Sequence, residues 1–123
     1  MSDDSKQATI DAMATIKAVY DDSCAEINGR EYVFTKTTHK KRRKVYAFYT
    51  KITPLVAKGD FSFLDWPEWE ILEEVIGNIV TFDNMQLTKS KDHWDKYPGD
   101  YLQFITTALP VISYPFFPES GGV

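Results

Sequence analysis

Cys24-Ala25-Glu26-Ile27-Asn28-Gly29-Arg30-Glu31-Tyr32-Val33-Phe34 is the stretch on which the fold turns. Asn-Gly tolerates the positive φ angles of a type I′ turn, whose twist matches that of two paired strands. Tyr32, Val33 and Phe34 favour a pleated surface. The stretch therefore predicts a β-hairpin closed at Asn28-Gly29. A lone hairpin is marginal in water, so it has to pack on helices or pair with another chain.

Moving outward from the hairpin, the pattern becomes helical. Residues 2–22 read as an amphipathic helix, with Thr9, Met13, Ile16, Val19 and Tyr20 on a thin apolar stripe and Asp3 and Asp4 suiting its N-terminus. On the other side, Thr37-Thr38 can cap a helix that carries Val45, Phe48, Tyr49, Ile52 and Val56. Pro54 is expected to kink or break that helix near Ile52, and Gly59 to stop it. After the apolar linker at 61–64, Asp65 can cap the next helix, with Pro67 tolerated in its first turn. Trp69, Leu72, Val75, Ile76, Ile79 and Val80 form the strongest apolar stripe in the chain, so this is the central core helix, ended by Asp83-Asn84. Residues 85–87 are ambiguous and compatible with a strand. Tyr97-Pro98-Gly99-Asp100 reads as a turn and a helix start, followed by Tyr101, Leu102, Ile105, Leu109 and Ile112 at helical spacing, with Pro110 near the end. The fold class is α+β, mainly α-helical: a small helical domain over residues 1–118 with one hairpin in its N-terminal half, and a disordered tail at 119–123.

Composition narrows the function. At 123 residues and 43% hydrophobic, the chain suits one domain with a real core and needs no disulfide or metal staple. A net charge of −4 does not point to nucleic acid or an anionic membrane as a partner. The single cysteine, Cys24, rules out an intramolecular disulfide and fits a reducing interior. No apolar run approaches the ~20 residues of a membrane span, so a cytoplasmic protein is expected. Aromatic residues make up 15%, a surplus that places some rings at the surface or in an interface.

Candidate sites are few. His39-Lys40-Lys41-Arg42-Arg43-Lys44 opens a helix with cations, which oppose the macrodipole and repel one another at i,i+3 and i,i+4. Two readings stand: a solvated helix start, or a surface for an anionic partner, with the Glu-rich helix from Glu70 to Glu74 as a counterpart inside the chain. Asp92, His93 and Asp95 form the only polar cluster resembling a metal or general-base site. Their spacing lacks the i,i+4 geometry and third ligand that a metal needs, so a solvated loop is expected there. There is no Gly-rich phosphate loop, zinc-ligand spacing or nucleophile elbow. The chain therefore reads as a non-enzyme with no catalytic residue, metal or cofactor. Tyr114, Phe116 and Phe117, held between prolines, are either an extended anchor or a segment folded back on the core. Trp66 and Trp94 are interface candidates, whereas Trp69 lies on the core stripe.

The order of these features resembles a known family. An acidic helix precedes Ile27-Asn28-Gly29-Arg30-Glu31-Tyr32-Val33-Phe34. A Thr-capped basic helix then runs through Tyr46-Ala47-Phe48-Tyr49, and a Trp-Pro-led core helix and the aromatic end Tyr114-Pro115-Phe116-Phe117 follow. Over roughly residues 24–117 the chain resembles the short tail assembly chaperones of long-tailed phages and prophages. The resemblance implies a protein that binds and solubilises the tape measure protein in the bacterial cytoplasm until tail tube protein polymerises around it, and that is absent from the virion. It also implies self-association into oligomers or spiral arrays, and a longer product made by ribosomal frameshifting. The Gly121-Gly122 dipeptide can be encoded by the G-rich slip site that frameshifting needs. Lys40, Lys41, Arg42, Arg43, Lys44, Trp66, Trp94, Tyr114, Phe116 and Phe117 are the residues expected to meet partners. The competing readings are a head–tail connector or tail terminator, then a small nucleic-acid-binding regulator using the basic run, and last an enzyme.

Overall fold

Asn28 and Gly29 have φ of 53° and 82°, the pair of positive angles that a type I′ turn requires. They close β1 (Cys24–Ile27) on β2 (Arg30–Phe34), antiparallel, with Ile27 opposite Arg30 and Cys24 opposite Val33. The computed structural model describes residues 13–117; the expectations for 1–12 and 118–123 lie outside them. Side chains alternate as a half-buried hairpin demands: Ala25, Ile27, Tyr32 and Phe34 are buried, while Glu26, Glu31 and Val33 are exposed.

The hairpin is stabilised by a second one from its own chain. Strand β3 (Val80–Phe82) pairs with β2, Phe34 opposite Val80, and β4 (Met85–Gln86) pairs with β3, giving the antiparallel order β1-β2-β3-β4. This corrects the reading of Val80 as part of the core helix. The helix stops at Ile79, and Val80 is extended (φ −100°, ψ 136°). Val80, Thr81 and Phe82 are β-branched or aromatic, and the open edge of β2 offers them ladder hydrogen bonds. Asp83 and Asn84, expected only to end the helix, form the tight turn with φ of 52° and 65°.

Among the described residues five helices accompany the sheet: α1 (residues 13–22), α2 (His39–Ala57), α3 (Pro67–Ile79), α4 (His93–Lys96) and α5 (Tyr101–Ser113). The protein is thus α+β and mainly helical. Thr38 caps α2, its Oγ1 accepting the Lys41 N–H at 3.3 Å. The far end of α2 closes with Gly59 at φ 75°: Gly59 N–H donates to the Val56 carbonyl and Asp60 N–H to the Leu55 carbonyl, both 2.9 Å. That is a Schellman closure. Pro54 does not end the helix as expected. It and Thr50 are both exposed, so water can satisfy the carbonyl that proline leaves unpaired, while Ile52 stays buried and Val56 packs on the core. Asp65 does not cap α3 either. It lies in the 3-10 turn Ser62–Asp65, and Trp66 occupies the cap position without a side-chain bond, leaving Pro67 in the first turn, where no N–H is needed.

One core collects Ile27, Tyr32 and Phe34 from the hairpin, Phe48 and Ile52 from α2, Trp69, Leu72 and Ile76 from α3, and Phe104, Ile105 and Leu109 from α5. Gly77 permits one close approach: a Cβ there would lie 2.8 Å from Thr88 Cγ2, in the 3-10 turn Leu87–Lys89 that packs on α3. No helix among the described residues is long and apolar enough to cross a membrane.

Candidate functional site

Strand alternation puts Arg30 and Tyr32 on the inner face of β2, and the turn holds Asn28 beside them. All three converge on Asp100 at the start of α5. Asp100 Oδ1 accepts from Asn28 Nδ2 at 2.7 Å and Arg30 Nη2 at 2.8 Å; Oδ2 accepts from Arg30 Nε at 2.6 Å and Tyr32 Oη at 2.8 Å. An ionised carboxylate has about four acceptor sites, so this one, 0% exposed, is saturated. An aspartate at a helix start ordinarily caps it, but Asp100 makes no cap bond, because both oxygens are committed to the hairpin. The Arg30 guanidinium beside it holds its carboxyl far below the usual range, against the opposing effect of burial.

The network continues to His93, whose Nε2 lies 2.8 Å from Tyr32 Oη. The Tyr32 hydroxyl has one proton, and Asp100 takes it. His93 therefore donates from Nε2, which fixes its neutral tautomer. Burial depresses the His93 pKa and the nearby Asp100 charge partly opposes that; burial also pushes the Tyr32 hydroxyl well above its ordinary range. Rings seal the cluster: Phe82, Trp94 and Phe104 lie 5.4, 6.2 and 5.3 Å from Tyr32, and Arg30 Cζ sits 4.2 Å from the centre of the Tyr97 ring. His93 is therefore a core histidine, not part of the solvated loop expected at 92–95. Asp92 and Asp95 are exposed and do not join it; Asp92 pairs with Lys96 at 3.4 Å. Among the described residues no cluster of His, Cys, Asp and Glu is arranged to hold a metal. Burial first, and then the neighbouring Glu31 carboxylate, push the half-buried Cys24 thiol up to about 11.

On the other side of Trp94 an open cleft of about 300 Å³ lies between α3 and α5. Trp69 Nε1 donates to Tyr101 Oη at 3.1 Å, and the Tyr101 hydroxyl donates to Glu73 Oε2. Trp94 packs edge-on against Tyr101, with centroids 5.1 Å apart. Glu70 and Glu74 stand exposed along the rim, with Lys91 facing them. Trp94 is legible in the sequence as an interface candidate, but the Glu73–Tyr101 contact is not, because nothing local to residue 73 or 101 says that the two side chains meet.

The other residues singled out from sequence are scattered. Lys40, Lys41, Arg43 and Lys44 are exposed, and among the described residues none of them pairs with a carboxylate. The Glu-rich face of α3 does not answer them; among the described residues the one ion pair between α2 and α3 is Lys51–Glu68. Arg42 differs from its neighbours: its Nη1 donates to the Ile112 carbonyl at 2.9 Å and its guanidinium lies over Tyr20. Trp66 packs on Phe48 and Phe63 beneath Lys51. Tyr114, expected among partner-binding residues, is buried against Tyr20, centroids 4.8 Å apart. Phe116 and Phe117 fold back on Tyr46 of α2, because nearby rings bury more apolar area than an extended end would. Compared with known proteins, the chain matches no family model, no curated protein and no solved structure.

Proposed function

We propose that the chain is a tail assembly chaperone: a non-catalytic domain that binds the tape measure protein in the host cytoplasm, keeps it soluble during tail morphogenesis and is left out of the virion. One observation carries the reading. The buried titratable groups are spent on holding hairpin to helix, since Asp100 accepts four hydrogen bonds from within the chain. What remains open is suited to binding: an acidic aromatic cleft, and the exposed Lys40, Lys41, Arg43 and Lys44, which form no ion pair among the described residues.

The resemblance of residues 24–117 to the tail assembly chaperones supplies the specific role. A coat for a long helical polypeptide works through many weak repeated contacts, and avidity then provides affinity without a deep pocket. A small domain with opposite charges on separate faces also suits head-to-tail self-association into an open array.

The test is co-purification from the native locus with an N-terminal tag, read by mass spectrometry, beside a mass-spectrometric inventory of purified particles. A very long helical partner with the tagged chain, and no chain in the particles, is the expected result. The chain's presence in particles would replace this reading with a connector or tail terminator. The exposed cations of α2 favour a second reading, nucleic-acid binding, which predicts steeply salt-dependent retention of RNA or DNA.

A further inference from the structure

The cleft between α3 and α5 combines two features that select the same chemistry. Its lining includes the half-buried rings of Trp94 and Tyr101 with the buried Trp69, and Glu70, Glu73 and Glu74 with the single cation Lys91. Aromatic faces attract cations through their quadrupole, most strongly for indole. Carboxylates beside them add direct attraction and accept the N–H groups of a guanidinium or ammonium. Glu73 has one oxygen engaged by Tyr101, and Glu70 and Glu74 form no ion pair among the described residues. An apolar ligand would leave those carboxylates facing it unpaired, and an anion would be repelled. The volume is at the small end for ligand pockets, suited to a side chain and not to a large cofactor.

We infer that this cleft receives an arginine or lysine side chain presented by a basic segment of a protein partner. The inference deepens the proposed chaperone role and rests on the chain being a protein-binding domain. The charge complementarity is local. The aliphatic stem of the side chain packs on Trp94 and Tyr101, and its charged head group stays wet beside the exposed Glu70 and Glu74.

The experiment titrates the ¹⁵N-labelled full-length chain at low salt with a capped, alanine-rich helical peptide carrying a pair of arginines one turn apart. Matched peptides carry norleucine or glutamate at those places. The arginine peptide should shift the indole N–H signals of Trp69 and Trp94, and added salt should weaken it. Glu70→Gln with Glu74→Gln should weaken it about tenfold, as expected for two exposed ion pairs near the top of their usual range. Both residues are exposed, so that variant keeps its fold. Glu26→Gln with Glu31→Gln, an equal charge change on the outer hairpin face, should leave binding unchanged. No indole shifts at millimolar peptide, equal binding of the norleucine peptide, or shifts confined to another surface would each overturn the inference. Indole shifts that track protein concentration without peptide would assign the cleft to a second copy and overturn it too. Should peptide binding fail while a long partner still co-purifies, the cleft assignment alone is lost; should no partner co-purify, the chaperone reading is lost as well.

Discussion

Among the described residues two carboxylates accept a tyrosine hydroxyl, and their surroundings give them opposite roles. Asp100 meets Tyr32 in a sealed space, with Arg30 and Asn28 filling its remaining acceptor sites. Glu73 meets Tyr101 at the edge of a cleft, and among the described residues it forms no ion pair, although Lys91 lines the same cleft. Both tyrosines have their pKa raised, burial first and the carboxylate second. The difference is closure. A saturated buried pair fixes the register of hairpin against helix, while a half-satisfied pair beside open space retains capacity for a ligand. The same residue types thus serve architecture on one side of Trp94 and recognition on the other.

The largest expected effect tests the architectural half. Asp100→Ala leaves Arg30, Asn28 and the Tyr32 hydroxyl without their acceptor and should cost about 3 kcal/mol in urea denaturation. Glu73→Ala, at a partly exposed site, should cost less than about 1 kcal/mol. Equal losses would erase the distinction drawn between the two pairs.

The pH dependence separates them next. The folded pKa of His93 is lowered below 6.5, so the unfolded chain takes up that proton first; stability is full above about pH 6.5 and falls as pH drops through the folded value. The folded pKa of Asp100 is lowered below 3.8, so its contribution is full above about pH 4 and is lost below that. Acid denaturation should therefore show an early limb below pH 6.5 and a steeper one below 4. His93→Gln keeps a donor for Tyr32 Oη and should flatten the early limb alone; a curve unchanged from wild type would remove His93 from the network.

Gly77→Ala should destabilise by about 1 kcal/mol. The new Cβ meets Thr88 Cγ2, and that loss outweighs the gain in helix propensity. Thr88 has little freedom to yield because its Oγ1 bonds Asn78 Oδ1 at 2.7 Å. Since the 3-10 turn Leu87–Lys89 contributes Leu87 and Thr88 to the cleft lining, amide exchange should quicken there before it does around Asp100. The smallest effect belongs to Tyr101→Phe, about 0.5 kcal/mol by thermal denaturation, with Tyr32→Phe at least twice that because its lost bonds are buried.

Much of the fold was legible along the chain. Asn28-Gly29 announced its hairpin because the turn is a two-residue problem with a two-residue solution. Thr38 and Gly59 marked the ends of α2 through local capping geometry, and the apolar stripe of α3 placed Trp69, Leu72, Ile76 and Ile79 inside. The second hairpin was missed for the opposite reason. Val80 continues a helical stripe as well as it starts a strand, and only the free edge of β2, far off in sequence, decides between them. At the candidate site, Trp94 was picked out for its ring, and the basic run for its charge. Asp100 read as part of a turn, because its partner Arg30 is 70 positions away.

The sequence by itself determined the class of the molecule: mainly helical, with one hairpin and a surplus of aromatic rings. Those properties follow from periodicity, turn chemistry and capping, each of which acts within a few residues. Only the tertiary structure decided which polar groups are closed off and which stay open. It set Asp100 among four donors, turned His93 inward, folded Tyr114 onto Tyr20 and left Glu70 and Glu74 at the mouth of an aromatic cleft. Burial and pairing belong to the packed chain, because the free energy of a charge or a ring depends on what surrounds it, and those surroundings come from residues distant in sequence.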